Sequence, residues 1–128
     1  MTKLLFVLSL GAAACSQQSP APQVQDQAQP AVAALPAGMT RVADPSQVCM
    51  VNDQFMGKPQ IPVEVGGRTY YGCCAMCKAK LNEQPAARTA QDPVTGESVD
   101  KASAVIVQDA TGKVLYFASE DTLRRFRG

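Results

Sequence analysis

A chain of 128 residues, with 12 Lys and Arg against 11 Asp and Glu, has room for one small domain or two very small ones and no basic stripe for nucleic acid. It has no histidine to activate a serine or cysteine, so hydrolytic chemistry is not expected and the chain is read as no enzyme. Five cysteines and five methionines make sulfur its distinctive chemistry.

Residues 1–14 have the layout of a secretory signal: Met1-Thr2-Lys3 is a basic start, "LLFVLSL" is apolar, and Ala12-Ala13-Ala14 precedes Cys15. The apolar run is too short for a transmembrane helix, which needs about 20 such residues. Ala12-Ala13-Ala14-Cys15 resembles the lipobox of bacterial lipoproteins, with Ala12 where Leu is usual. The resemblance implies cleavage before Cys15, lipid attachment on Cys15 and a membrane anchor on the periplasmic side of a bacterial envelope. Ser16 in the next position implies the outer membrane in a Gram-negative source. The plainer alternative is a secreted protein cut near Ala14. Outside the cytosol thiols tend to oxidise, so the remaining cysteines are expected to be paired, metal-bound or protected.

Residues 15–44 read as a lipid-anchored, disordered linker. Their Gln, Ala and Pro offer too little apolar surface to offset the entropy of ordering. A flexible tether of about 28 residues spans roughly 30 Å between its ends.

The expected fold class is α+β, two small ββα units at 45–86 and 87–128 packed as a pseudo-symmetric pair. An internal repeat carries this reading. Gly67 lies over Gly112, Tyr71 over Tyr116, Cys73 over Ala118, Cys77 over Thr122 and Leu81 over Phe126, a constant offset of 45 residues. In the first unit "IPVEV" and "RTYYG" flank Gly66-Gly67, a two-residue hairpin turn, and a helix runs from Cys73 to about Glu83 before Pro85. In the second, "SAVIVQD" and "KVLYFAS" flank Ala110-Thr111-Gly112, and a helix runs from Ser119, an N-cap, to about Arg127. Neither unit, at about 35 residues, buries much core alone.

Cys73, Cys74 and Cys77 fall where the strand meets the helix, and the free N–H groups of a first helical turn favour thiolates there. Cys77 shares a helix face with Cys73 or Cys74, and the loop before the hairpin brings Cys49 back beside them. One loop cysteine and a helix-start pair make a small metal site.

Val48-Cys49-Met50 followed by Tyr71-Gly72-Cys73-Cys74-Ala75-Met76-Cys77 resembles the TRASH and YHS metal-binding domains, treble-clef-like bacterial modules with a loop cysteine and a later "Y-F-C-S-x-x-C" at a helix start. The resemblance covers residues from about 45 to 128 and implies that Cys49, Cys73 and Cys77 hold the family's three cysteine positions. It also implies that the second unit is a degenerate copy. There Asp92-Pro93-Val94-Thr95-Gly96-Glu97 stands for the loop, and Tyr116-Phe117-Ala118-Ser119-Glu120-Asp121-Thr122 replaces both helix cysteines. Gly72, where the family has Phe, Val51, where it has Met or Gly, and the extra thiol Cys74 depart from the pattern.

A sulfur-only donor set selects Cu(I), or other thiophilic ions such as mercury, cadmium and silver. Zinc is the alternative, held by four thiolates at Cys49, Cys73, Cys74 and Cys77. Met50 and Met76 are candidate additional ligands, and core filling is the competing role for them and for Met56. The functional expectation is copper capture, chaperoning or resistance, with a periplasmic metalloprotein or metal transporter as partner. Two rivals are a disulfide-stabilised structural lipoprotein and thiol redox at Cys74-Ala75-Met76-Cys77. Asp92, Glu97, Asp100 and Asp109 read as solvated turn residues, and Lys78, Lys80, Arg124, Arg125 and Arg127 as helix-face charges.

Overall fold

The computed structural model describes residues 34–127. The expected signal, the Cys15 lipid site and most of the expected tether lie outside the described residues. In chain order the strands are β1 (Thr40–Arg41), β2 (Val48–Cys49), β3 (Gln54–Phe55), β4 (Ile61–Val65) and β5 (Arg68–Gly72), followed by helix α1 (Ala75–Glu83). Then come β6 (Thr89–Gln91), β7 (Ser98–Asp100), β8 (Val105–Gln108), β9 (Val114–Phe117) and helix α2 (Glu120–Arg125). The fold is a small α+β arrangement of short antiparallel strands and two helices.

Local chemistry explains the longest elements. Gly66 and Gly67 both take positive φ, 59° and 75°, which a two-residue turn of this hand requires, and β4 pairs with β5 from Val65↔Arg68 to Ile61↔Gly72. Between β8 and β9 the carboxylate of Asp109 accepts from the amides of Thr111 (2.8 Å) and Lys113 (3.1 Å), closing the turn. Helix α1 stops before Pro85. Helix α2 starts at the expected cap: Ser119 Oγ accepts from the Thr122 amide while Thr122 Oγ1 accepts from the Ser119 amide. Glu120 and Asp121 in its first turn and Arg124 and Arg125 in its last suit the helix dipole.

Two apolar clusters hold these elements. The larger joins Met50, Val63, Tyr70 and Leu81 to Ile106, Val114 and Tyr116, so residues before and after position 87 share one core. The smaller gathers Val107, Phe117 and Leu123, with Phe126 edge-on to Phe117 at 5.3 Å between ring centres.

The ordered chain reaches further back than the expected boundary at 44. β1 pairs with β8 (Thr40↔Gln108, Arg41↔Val107), making a three-stranded sheet in the order β1-β8-β9. Val42 is buried, its amide donates to Ile106 O at 3.0 Å, and Leu35 and Met39 cover the smaller cluster. Arg41 adds a two-pronged pair with Glu120 of α2. The few apolar residues of "LPAGMTRV" suffice because β8 offers them a free edge.

Two carboxylates read as solvated turn residues are also structural. Asp92 is 1% exposed; its Oδ1 accepts from the amides of Val94 (2.8 Å) and Thr95 (3.3 Å) and its Oδ2 from that of Ala118 (2.8 Å). Asp100 accepts from the Tyr70 hydroxyl (2.9 Å), the Ala102 amide (2.9 Å) and Arg68.

Candidate metal centre

Three elements deliver three sulfurs to one point. β2 ends on Cys49, which is fully buried, and the loop after it is tied to β5 by the Met50 amide donating to Tyr71 O at 2.9 Å. β5 ends on Gly72, Cys73 follows in the link, Cys74 is the N-cap of α1, and Cys77 sits in its first turn. A side chain at Gly72 would put its Cβ 2.9 Å from Cys77 Cβ and 3.1 Å from the Cys77 carbonyl carbon and the Lys78 nitrogen. The missing side chain is therefore what lets the helix lie against the strand end and brings Cys77 inward.

The sulfurs of Cys49, Cys73 and Cys77 all lie within 4.8 Å of one another. Cys73 and Cys77 are 3.6 Å apart, Cys49 and Cys77 3.9 Å. An ion about 2.3 Å from each sulfur holds them about 3.8 Å apart in a tetrahedral arrangement and about 4.0 Å apart in a trigonal one. The group is thus already spaced for a metal ion. Cys49 and Cys77 are buried and Cys73 is half-buried, so the group opens to solvent on the Cys73 side, where Asn52 Nδ2 lies 3.7 Å from Cys73 Sγ.

Charge is distributed unevenly over the three thiols. Burial pushes Cys49 up, but the amides of Asn52, Cys73 and Val51 and the Cys73 thiol outweigh it and leave Cys49 below the ordinary value. Cys73 is pushed up to about 12, mainly because it donates to Cys49 and then because of Cys77. Burial raises Cys77, with Cys74 and Cys49 adding to the rise. The three thiols therefore differ, Cys49 being the most acidic side of the group and Cys73 and Cys77 holding their protons more firmly.

Not every expected ligand joins this group. Cys74 is exposed and its sulfur is not among the three that lie within 4.8 Å of one another. The first-turn amides, led by that of Cys77, lower its thiol pKa without the geometry of a full capping hydrogen bond. Met50 is fully buried in the larger cluster, where it fills core, and Met76 is 72% exposed. All four of these cysteines are free thiols.

Sequence reasoning missed what braces the Cys49 loop. Lys101, 4% exposed, donates from Nζ to Met50 O and to Asp53 Oδ1, each at 2.6 Å, and Asp53 sits in the left-handed region at φ 52°. Buried Val99 is two residues before Lys101, and strand alternation could have placed both on one face. No family model, no characterised protein and no solved structure matches the chain.

Proposed function

We propose that this chain is an exported lipoprotein of the TRASH/YHS kind that captures a thiophilic ion, Cu(I) first among them, and passes it on. The observation that carries the reading is the convergence of Cys49, Cys73 and Cys77 at ion-ready spacing. Soft thiolates favour Cu(I), for which three sulfurs suffice, over hard cations. Zinc is the second reading, supported by the same separations, with its fourth position left open toward solvent. Cys74 is then a transfer thiol: exposed, lowered in pKa and next in sequence to a ligand, it can take the ion by ligand exchange toward a periplasmic metalloprotein or transporter. The envelope location rests on the basic start, the apolar run and Ala12-Ala13-Ala14-Cys15.

The tandem arrangement of two ββα units belongs to this proposal and gives it a physical argument. At the 45-residue offset, Cys73 corresponds to Ala118 and Cys77 to Thr122. Asp92 bonds the first of these positions, accepting from the Ala118 amide at 2.8 Å, while the Thr122 side chain closes the helix start on Ser119. In the second unit a carboxylate joins the loop to the helix start with protein hydrogen bonds alone. The first unit has three sulfurs at that place, and an ion is what would join them.

The test is anaerobic titration of residues 16–128 with Cu(I) beside thiol counting. One ion per chain is expected, with Cys49→Ser, Cys73→Ser and Cys77→Ser each losing affinity and Cys74→Ser retaining it. Unchanged affinity in Cys49→Ser, or four thiols already oxidised in protein taken from the envelope, contradicts the reading.

A further inference from the structure

The three sulfurs have no further ligand at hand among the described residues. The Cys74 sulfur is not in the group, Met50 fills core, Met76 is 72% exposed, and Asn52 turns Nδ2, a donor, toward Cys73 Sγ at 3.7 Å. An occupant is therefore held by three sulfurs, with its remaining side toward solvent beside half-buried Cys73. Charge narrows the choice. No Lys or Arg side chain bonds any of the three sulfurs among the described residues, and Lys101, which braces the Cys49 loop, is engaged by Met50 O and the Asp53 carboxylate. Three thiolates around Cu(I) leave two negative charges in excess, and around Zn²⁺ one. Uncompensated charge beside buried Cys49 and Cys77 is costly. A trivalent thiophilic centre leaves none.

We propose that Cys49, Cys73 and Cys77 also take trivalent arsenic or antimony, arriving as the neutral trihydroxide. The inference rests on the three-sulfur reading above and extends it from soft cations to an uncharged ligand class. Such a centre makes three bonds in a pyramid and carries a lone pair on the fourth side, so it asks for no ligand that this site lacks. The separations, 3.6 Å and 3.9 Å with the third within 4.8 Å, put all three sulfurs in reach of one such centre. Each step exchanges one bond: a cysteine sulfur bonds arsenic, an arsenic–oxygen bond breaks, and the thiol proton leaves with that hydroxide as water. Three exchanges release three waters, with arsenic trivalent throughout and no change of net charge.

The test mixes arsenite at neutral pH with reduced residues 16–128, which contain every described element, and weighs the adduct by native mass spectrometry. Wild type and Cys74→Ser are expected to gain one arsenic and lose three hydrogens. Cys49→Ser, Cys73→Ser and Cys77→Ser are each expected to lose this three-bond product, giving either no adduct or one that keeps a hydroxide on arsenic. No adduct in wild type, or one that keeps a hydroxide, overturns the inference without relying on any variant to fold. So does a three-bond product that survives in Cys49→Ser or disappears in Cys74→Ser. The same wild-type chain is titrated with Cu(I): if it binds Cu(I) and refuses arsenite, this inference alone falls, and if it binds neither, the metal reading falls with it.

Discussion

Gly72 shows how one residue decides the site. Against the resembling family it stands as a departure, a glycine where Phe is usual, with nothing in the spacing to explain it. Its reason is a distance between elements: a Cβ there would sit 2.9 Å from that of Cys77. Gly72→Ala is therefore expected to cost about 1–3 kcal/mol by overpacking and to weaken ion binding, because Cys77 is what must move. Thermal melts and chelator competition measure the two effects; an alanine variant with wild-type affinity would show that the helix start relaxes freely. The three converging cysteines were legible in advance, since a loop cysteine and an i, i+4 pair at a helix start follow from spacing. The exclusion of Cys74 was not, because i and i+3 share a face as plausibly, and only the extended backbone at the N-cap sends its side chain elsewhere.

At the scale of elements, the hairpins and helices with strong local chemistry were readable: Gly66-Gly67, Pro85 and the Ser119 cap; the alternation expected around β8 is not what is found, since Ile106 and Val107 are both buried. The strands β2, β3, β6 and β7 were not readable, being two or three residues long, too short to show a period. Asp92 was read as solvated because loops usually carry acids outward, whereas it links the β6–β7 turn to the start of α2. Burial raises its pKa, but the Ala118 amide, the Thr122 side chain and the amides of Val94 and Thr95 outweigh this and hold the carboxyl below its ordinary value. A pKa lowered by folding stabilises above the unfolded value, about 4, and that stability is lost as pH falls through the folded value. Melting temperature is thus expected to be level from neutrality to about pH 5 and to fall below about pH 4. Asp92→Asn should lower stability at neutral pH by about 1–3 kcal/mol and reduce the acid-induced fall, leaving the share of Asp100, which is also lowered. A melting profile with the same acid limb in wild type and variant would remove Asp92 from this role.

For the whole molecule, the two halves depend on each other more than a repeat suggests. Met50 and Tyr116 share a core, Lys101 braces the loop that carries Cys49, and β1 closes against β8 with residues expected to be linker. None of these was visible in the sequence, because each joins positions far apart along the chain, whereas periodicity and turn chemistry report only on neighbours. The sulfur site draws its ligands from the first half and its bracing from the second, so an ion held there would be held by the whole fold. The direct measurement is X-ray absorption at the copper edge on anaerobically Cu(I)-loaded residues 16–128. The account predicts a first shell of three sulfurs in wild type and in Cys74→Ser, and the loss of one sulfur in Cys77→Ser. A shell of oxygen or nitrogen, or a sulfur shell that Cys77→Ser leaves intact, would contradict it.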